Sequence, residues 1–127
     1  MAPEHETKSK TTPVRVPVGE AQLYGDLGLP PAAHAVVLFA HGSGSSRYSS
    51  RNQYVARALE RRDLATLLID LLTPEEEAID DRRAQYRFDI PMLAGRLVAI
   101  VDWLRSRPET ALFPIGLFGA STGVERR

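Results

Sequence analysis

The segment LFPIGLFGASTG, residues 112–123, decides the fold. Leu112 to Ala120 contains no charged residue, and apolar side chains at Ile115, Leu117 and Phe118 would fall on both faces of a strand. Such a run fits a strand buried on both sides within a parallel sheet. Pro114 cannot donate to a ladder, so it is tolerable only near the strand's beginning. The strand runs directly into Gly119-Ala120-Ser121-Thr122-Gly123. Gly-x-Ser-x-Gly in that position fits a very tight strand-to-helix turn that strains and exposes the serine, flanked by glycines where side chains would meet the neighbouring strand and helix. The pentapeptide alone is a weak pattern. Placed directly behind a buried strand, it makes Ser121 the candidate nucleophile, with Gly119 and Gly123 shaping the turn. The bland alternative is a chance match at an ordinary strand-to-helix turn.

Working outward, a second apolar run, His34 to Ala40, is β-branched in its middle and also reads as a buried strand. It leads at once into a Gly/Ser-rich loop, His41-Gly42-Ser43-Gly44-Ser45-Ser46-Arg47. Ser50 with Gln53 three residues on reads as a capping box opening a helix, with Val55, Ala58 and Leu59 on its apolar face. Leu64–Leu71 is a further buried strand. Thr73-Pro74-Glu75-Glu76 has the form of another helix start: a cap, proline at the first helical position, then acids near the positive end of the dipole. A longer helix runs from near Asp89 to about Arg107, with Leu93, Leu97, Ile100, Val101 and Leu104 on one stripe and Pro108 as its stop. Ahead of all this, Val14–Val18 and Ala21–Leu29 alternate in polarity around Gly19-Glu20, as a β-hairpin does. Residues 1–12 carry little to bury and are expected to form a disordered tail, leaving one domain over 13–127. The predicted class is α/β: a hairpin followed by a parallel β-α-β-α-β unit with helices on both faces.

Composition narrows the function classes. The 127 residues are 43% hydrophobic and 25% charged, with zero formal net charge. No global field therefore favours nucleic acid or an anionic membrane. The absence of cysteine excludes disulfides, thiolate metal sites and a cysteine nucleophile. The amino terminus has no apolar core of a signal peptide, and no run approaches the ~20 apolar residues of a spanning helix. A soluble, cytoplasmic protein is expected, with a small-molecule partner and neither cofactor nor metal. The three histidines, His5, His34 and His41, are scattered. The acids from Glu75 to Asp81 read as a solvated helix face rather than a metal site.

The run VVLFAHGSGSSRYSSRNQYVARALERRDLATLLIDLLTPEE (36–76), with FDIPMLAGRLVAIVDWL (88–104) and LFPIGLFGASTG (112–123), resembles the dienelactone-hydrolase-like branch of the α/β-hydrolases over residues 13–123. The resemblance implies a partial α/β-hydrolase fold that reaches the nucleophile elbow. It implies a serine hydrolase of ester or related acyl bonds with Ser121 as nucleophile. The N–H of Thr122 and those of Ser43 or Gly44 would form the oxyanion hole, with His41 and Gly42 shaping the loop. Some relatives of this branch are fused to a phosphoribosyltransferase domain. Two departures stand out. Dienelactone hydrolases proper use a cysteine nucleophile and a carboxylate on the oxyanion loop, and this chain has neither. In the fold the acid and the histidine follow the nucleophile, whereas only Glu125 and no histidine follow Ser121 here. Truncation is therefore expected, and with it inactivity of the chain alone.

Competing readings stay open at this level. A non-catalytic hydrolase fragment shares the fold, and a phosphate-binding α/β domain could use the Gly-rich loop as an anion cradle, although both G-x-G-x-x-G and a P-loop lysine are missing. His41 as a substitute base is the sharp reading of that residue; a loop-shaping role is the bland one. Arg47 either binds an anionic group or is solvated or structural. Asp70, at the end of a strand, either lines the site or caps a turn.

Overall fold

In the computed structural model the described residues are 10–41, 46–83 and 89–119, with the side chains of 41, 46 and 80–83 excepted. Strands β1 (Lys10–Val18) and β2 (Ala21–Leu29) form an antiparallel hairpin in unbroken register from Lys10↔Leu29 to Val18↔Ala21. Its two-residue turn places Gly19 at φ +60°, a conformation that only glycine adopts without strain. Strands β3 (Val36–His41), β4 (Ala65–Asp70) and β5 (Ile115–Phe118) supply the parallel part of a five-stranded sheet ordered β1-β2-β4-β3-β5. The hairpin joins it through antiparallel pairing of β2 with β4. This is the partial α/β-hydrolase architecture the sequence implies.

The two faces carry separate cores because successive strand residues point to opposite sides. On one face α1 (Ser50–Glu60) brings Ala56 against Phe39 and Leu68, with Val37, Val55, Leu59 and Phe118 around them. On the other, α3 (Ile90–Ser106) sets Ile100 and Leu104 against Val14, Val16, Leu23, Leu38, Leu67 and Ile69. Every residue of β4 is buried. The third helix, α2 (Pro74–Arg83), follows β4 directly.

Several details differ from the sequence-based expectations. β1 opens at Lys10, so Lys10, Thr11 and Thr12 are strand residues rather than tail; their partners Leu29, Gly28 and Leu27 extend the ladder, and backbone pairing does not require apolar side chains. The cap of α1 is Ser49, not Ser50: its hydroxyl accepts from the N–H of Asn52, while Gln53 reaches back to the carbonyl of Arg47. The buried row of α1 is Asn52, Ala56 and Glu60, with Val55 and Leu59 only partly covered. β5 begins at Ile115, with Leu112 in a preceding turn and 94% exposed. Pro114 lies outside the ladder, and its carbonyl accepts from the N–H of Val36. β5 is an edge strand among the described residues, and Leu117 on it is 66% exposed.

Candidate active site

The sheet brings the two loops singled out in the sequence to the same edge. β3 and β5 are parallel neighbours, with Val36 opposite Ile115 and Phe39 opposite Phe118. β3 ends at His41 and β5 at Phe118, so residues 42–45 and 119–123 leave from the carboxyl ends of adjacent strands, about 4.8 Å apart. Phe39 and Phe118 pack ring against ring beneath that edge, with centroids 4.8 Å apart. Gly42, Ser43, Gly44, Ser121, Thr122 and Gly123 lie outside the described residues. His41 is described as the last residue of β3, without its side chain. Gly119 follows β5 immediately, and a methyl group there would meet nothing within 4 Å among the described residues; the helix expected to crowd it lies outside them.

Beyond the Gly/Ser loop the chain is caught again at Arg47. Asp70, the last residue of β4, accepts from the backbone N–H of Arg47 at 3.3 Å and from its Nε at 3.2 Å. Gln53 donates to the Arg47 carbonyl at 2.7 Å. The Arg47 guanidinium lies over Tyr48, 4.6 Å from the ring centroid, and 5.9 Å from that of Tyr24. Arg47 is therefore an ion-paired residue rather than a solvated one. The Gly/Ser loop is bracketed by the end of β3 and by a clamp built from the neighbouring strand. At its far side, a cavity of about 270 Å³ is lined by Tyr24, Arg47, Tyr48, Asp70 and Glu77 among others.

The turn after β4 has its own fastening. Thr73 and Glu76 form a reciprocal capping box at the start of α2: the Glu76 N–H donates to Thr73 Oγ1 and the Thr73 N–H donates to Glu76 Oε1. Arg96, buried on α3, donates to both oxygens of Glu76 at 2.6 and 2.9 Å and to the carbonyl of Leu71 at 2.7 Å. The Arg96 hydrogen bonds hold the Glu76 carboxyl below its usual range, against the opposing effect of burial. Glu76 is thus not part of a solvated acidic face. Sequence reasoning missed Arg96, although it stands at i−4 from Ile100 and i−8 from Leu104, and a charge in a buried helical row demands a partner. Tyr24 and Tyr48 were also missed, since nothing local marks an aromatic as a platform for a distant arginine. No cluster of metal-ligating side chains occurs among the described residues.

Comparison with known proteins gives these elements relatives. No family model matches the chain. The crystal structure of dienelactone hydrolase from Anabaena variabilis superposes with a TM-score of 0.85 at 57% identity, covering 91% of this chain and 54% of that one. The chain is similar to part of a dienelactone-hydrolase-like α/β-hydrolase. A dienelactone hydrolase-like promiscuous phosphotriesterase from metagenomic libraries shares the fold of this chain at 18% identity and a TM-score of 0.67, with 88% and 49% of the two chains covered. Two Mycobacterium tuberculosis proteins, from strains CDC 1551 and H37Rv, carry a provisional phosphoribosyl transferase name. Each is 51% identical over 111 residues, which is 87% of this chain and 24% of the relative. The chain thus spans about half of the solved dienelactone hydrolase and about a quarter of the mycobacterial relatives. Among the described residues no helix is long and apolar enough to cross a membrane.

Proposed function

We propose that this chain carries the nucleophile and oxyanion-hole half of a cytoplasmic serine hydrolase acting on ester or related acyl bonds. The observation that carries the reading is the pairing of β3 with β5, which launches the Gly/Ser loop and the Gly-x-Ser-x-Gly turn side by side from one sheet edge. In this mechanism Ser121 Oγ attacks the acyl carbon. The developing oxyanion is met by the N–H of Thr122 from one loop and of Ser43 or Gly44 from the other. Two loops from adjacent strands can converge on one oxygen in a way that two distant loops cannot. The Asp70–Arg47 clamp fixes the chain where it leaves the first loop, and an oxyanion hole stabilises charge only if its donors are held before the reaction.

The serine needs a base, and its proton must leave as the bond to carbon forms. Residues 121–127 hold Glu125 and no histidine. In the proposal the acid and histidine belong to the part of the hydrolase that this chain does not match. The phosphoribosyl transferase name of the mycobacterial relatives likewise concerns proteins matched over a quarter of their length, and we assign that activity to their remainder. The test is hydrolysis of an activated short-chain aryl ester by the purified 127-residue chain, beside Ser121→Ala and a fluorophosphonate probe. Background turnover and no stoichiometric label are expected. Turnover that vanishes in Ser121→Ala would show that the chain contains its own base, and His41 would be the residue to mutate next.

A further inference from the structure

On the hairpin, where it neighbours Arg47, lies an open groove of about 310 Å³ lined by Pro13, Val14, Arg15, Tyr24 and Arg47. Arg15 is the cross-strand partner of Tyr24, so the two side chains emerge on the same face, and the Arg47 guanidinium lies 5.9 Å from the Tyr24 ring. Two cations thus line one groove beside one aromatic ring, and no acid lines it among the described residues. That arrangement is conspicuous in a chain with 16 basic and 16 acidic residues. Both oxygens of Asp70 accept from Arg47, through its backbone N–H and Nε, Glu77 lines the neighbouring cavity of about 270 Å³ with Asp70 and Arg47, and Asp26 acts on Arg57. Asp70 fixes Arg47 by Nε, and Nη1 and Nη2 have no hydrogen-bond partner among the described residues. Arg15 is exposed and makes no ion pair among them.

From this juxtaposition we infer a second binding site, for a phosphate group, formed by Arg15 and Arg47 over Tyr24. A single arginine fork saturates a planar carboxylate. Two forks approaching from different sides suit a tetrahedral dianion, whose oxygens point in several directions. The pre-set Arg47, held by Asp70 and stacked on Tyr48, presents its donors at little further entropic cost. Tyr24 gives a ring face against which the organic part of a phosphomonoester can lie. The groove lies on the hairpin, with β2 three strands from β5 in the sheet, ~14 Å away, and it shares Arg47 with the clamp at the end of the Gly/Ser loop.

The experiment is an NMR titration of the full 127-residue chain at constant ionic strength. Inorganic phosphate, phenyl phosphate, acetate and chloride are each followed at the Arg47 Nε–H and the Arg15 and Tyr24 amides. Saturable shifts with both phosphates are expected, with acetate at least about tenfold weaker and chloride without effect. Phenyl phosphate binding tighter than inorganic phosphate assigns the groove to a phosphomonoester, and equal binding assigns it to the free ion. Arg15→Gln, an exposed strand position that the fold does not need, is expected to weaken phosphate binding about tenfold, as loss of one partly solvated charge-assisted hydrogen bond does. Shifts that match those of chloride, acetate binding as tight as phosphate, or an Arg15→Gln protein that binds phosphate unchanged would each overturn the inference.

Discussion

Replacing Arg96 by methionine removes three hydrogen bonds made among the described residues at the buried junction of α3, α2 and the end of β4, while nearly conserving side-chain volume. Two of the three run to Glu76 and are charge-assisted; the third satisfies the carbonyl of Leu71, a residue only 4% exposed. An orphaned buried carbonyl costs about 1–3 kcal/mol. Breaking a fully buried ion pair costs about 3–5 kcal/mol, but 20% of the Glu76 side chain remains accessible and can rehydrate, so that share is discounted by about half. Burial of the methionine returns part of the loss. The net expectation is a destabilisation of about 2–4 kcal/mol, a large fraction of the ~5–15 kcal/mol available to a domain of this size. Urea unfolding followed by far-UV circular dichroism reads it as a lower midpoint at unchanged slope. Glu76→Gln in the same background gives the coupling, expected at about 1 kcal/mol or more because the residues are in direct contact. An Arg96→Met protein within about 0.5 kcal/mol of the parent, the scatter of ordinary surface changes, would refute the reasoning.

Three further outcomes follow from local geometry. Gly28→Ala should destabilise by about 1–3 kcal/mol, because a methyl group there falls on Glu60 Oε2 and lies 2.9 Å from Thr66 Oγ1, whereas Gly116→Ala, with nothing within 4 Å, should stay within about 0.5 kcal/mol in the same urea assay. Ser49→Ala should cost about 0.5–2 kcal/mol of unfolding free energy and Ser50→Ala almost none, since only Ser49 caps α1. The folded Glu76 carboxyl titrates below its ordinary value near 4.5, so its contribution is complete above that pH and is lost as pH falls through the lower, folded value. The stability gap between the parent and Arg96→Met should therefore be constant at neutral pH and shrink under acid toward the share left by the Leu71 carbonyl; a gap undiminished at pH ~2 would exclude Glu76 as a source of it.

The fold was legible where side-chain patterns report burial directly. The continuous apolar runs around Val36–Ala40 and Leu64–Leu71 became parallel strands because they are short, and a sheet covered on both faces accommodates such runs. The Thr73–Glu76 box could be read locally because both partners lie within one turn. Boundaries were harder. Two consecutive serines precede α1, and the choice of Ser49 over Ser50 rests on which backbone N–H each can reach. The polar residues Lys10–Thr12 look like tail because ladder hydrogen bonds leave no mark on side-chain type. At the candidate site, the serine turn and Gly/Ser loop were visible in sequence, but their adjacency required the sheet order β4-β3-β5. The Arg47–Asp70 clamp spans 23 residues and has no local signal. Glu60, held by Arg57 and Thr66, shows the same limit: a buried acid is legible only once its partners are known.

The most direct test of the central claim joins residues 10–127 to the portion of the Anabaena variabilis dienelactone hydrolase that they do not match, with the high identity of the shared region making a folded chimera attainable. The purified chimera, checked for a cooperative thermal transition, is assayed for hydrolysis of a short-chain aryl ester and for labelling by a fluorophosphonate, beside its Ser121→Ala counterpart. Turnover and stoichiometric label are predicted for the chimera, with turnover falling by on the order of 10⁴–10⁶ and the label absent after Ser121→Ala. A folded chimera that neither turns over nor labels, or one in which Ser121→Ala changes nothing, would contradict Ser121 as the nucleophile.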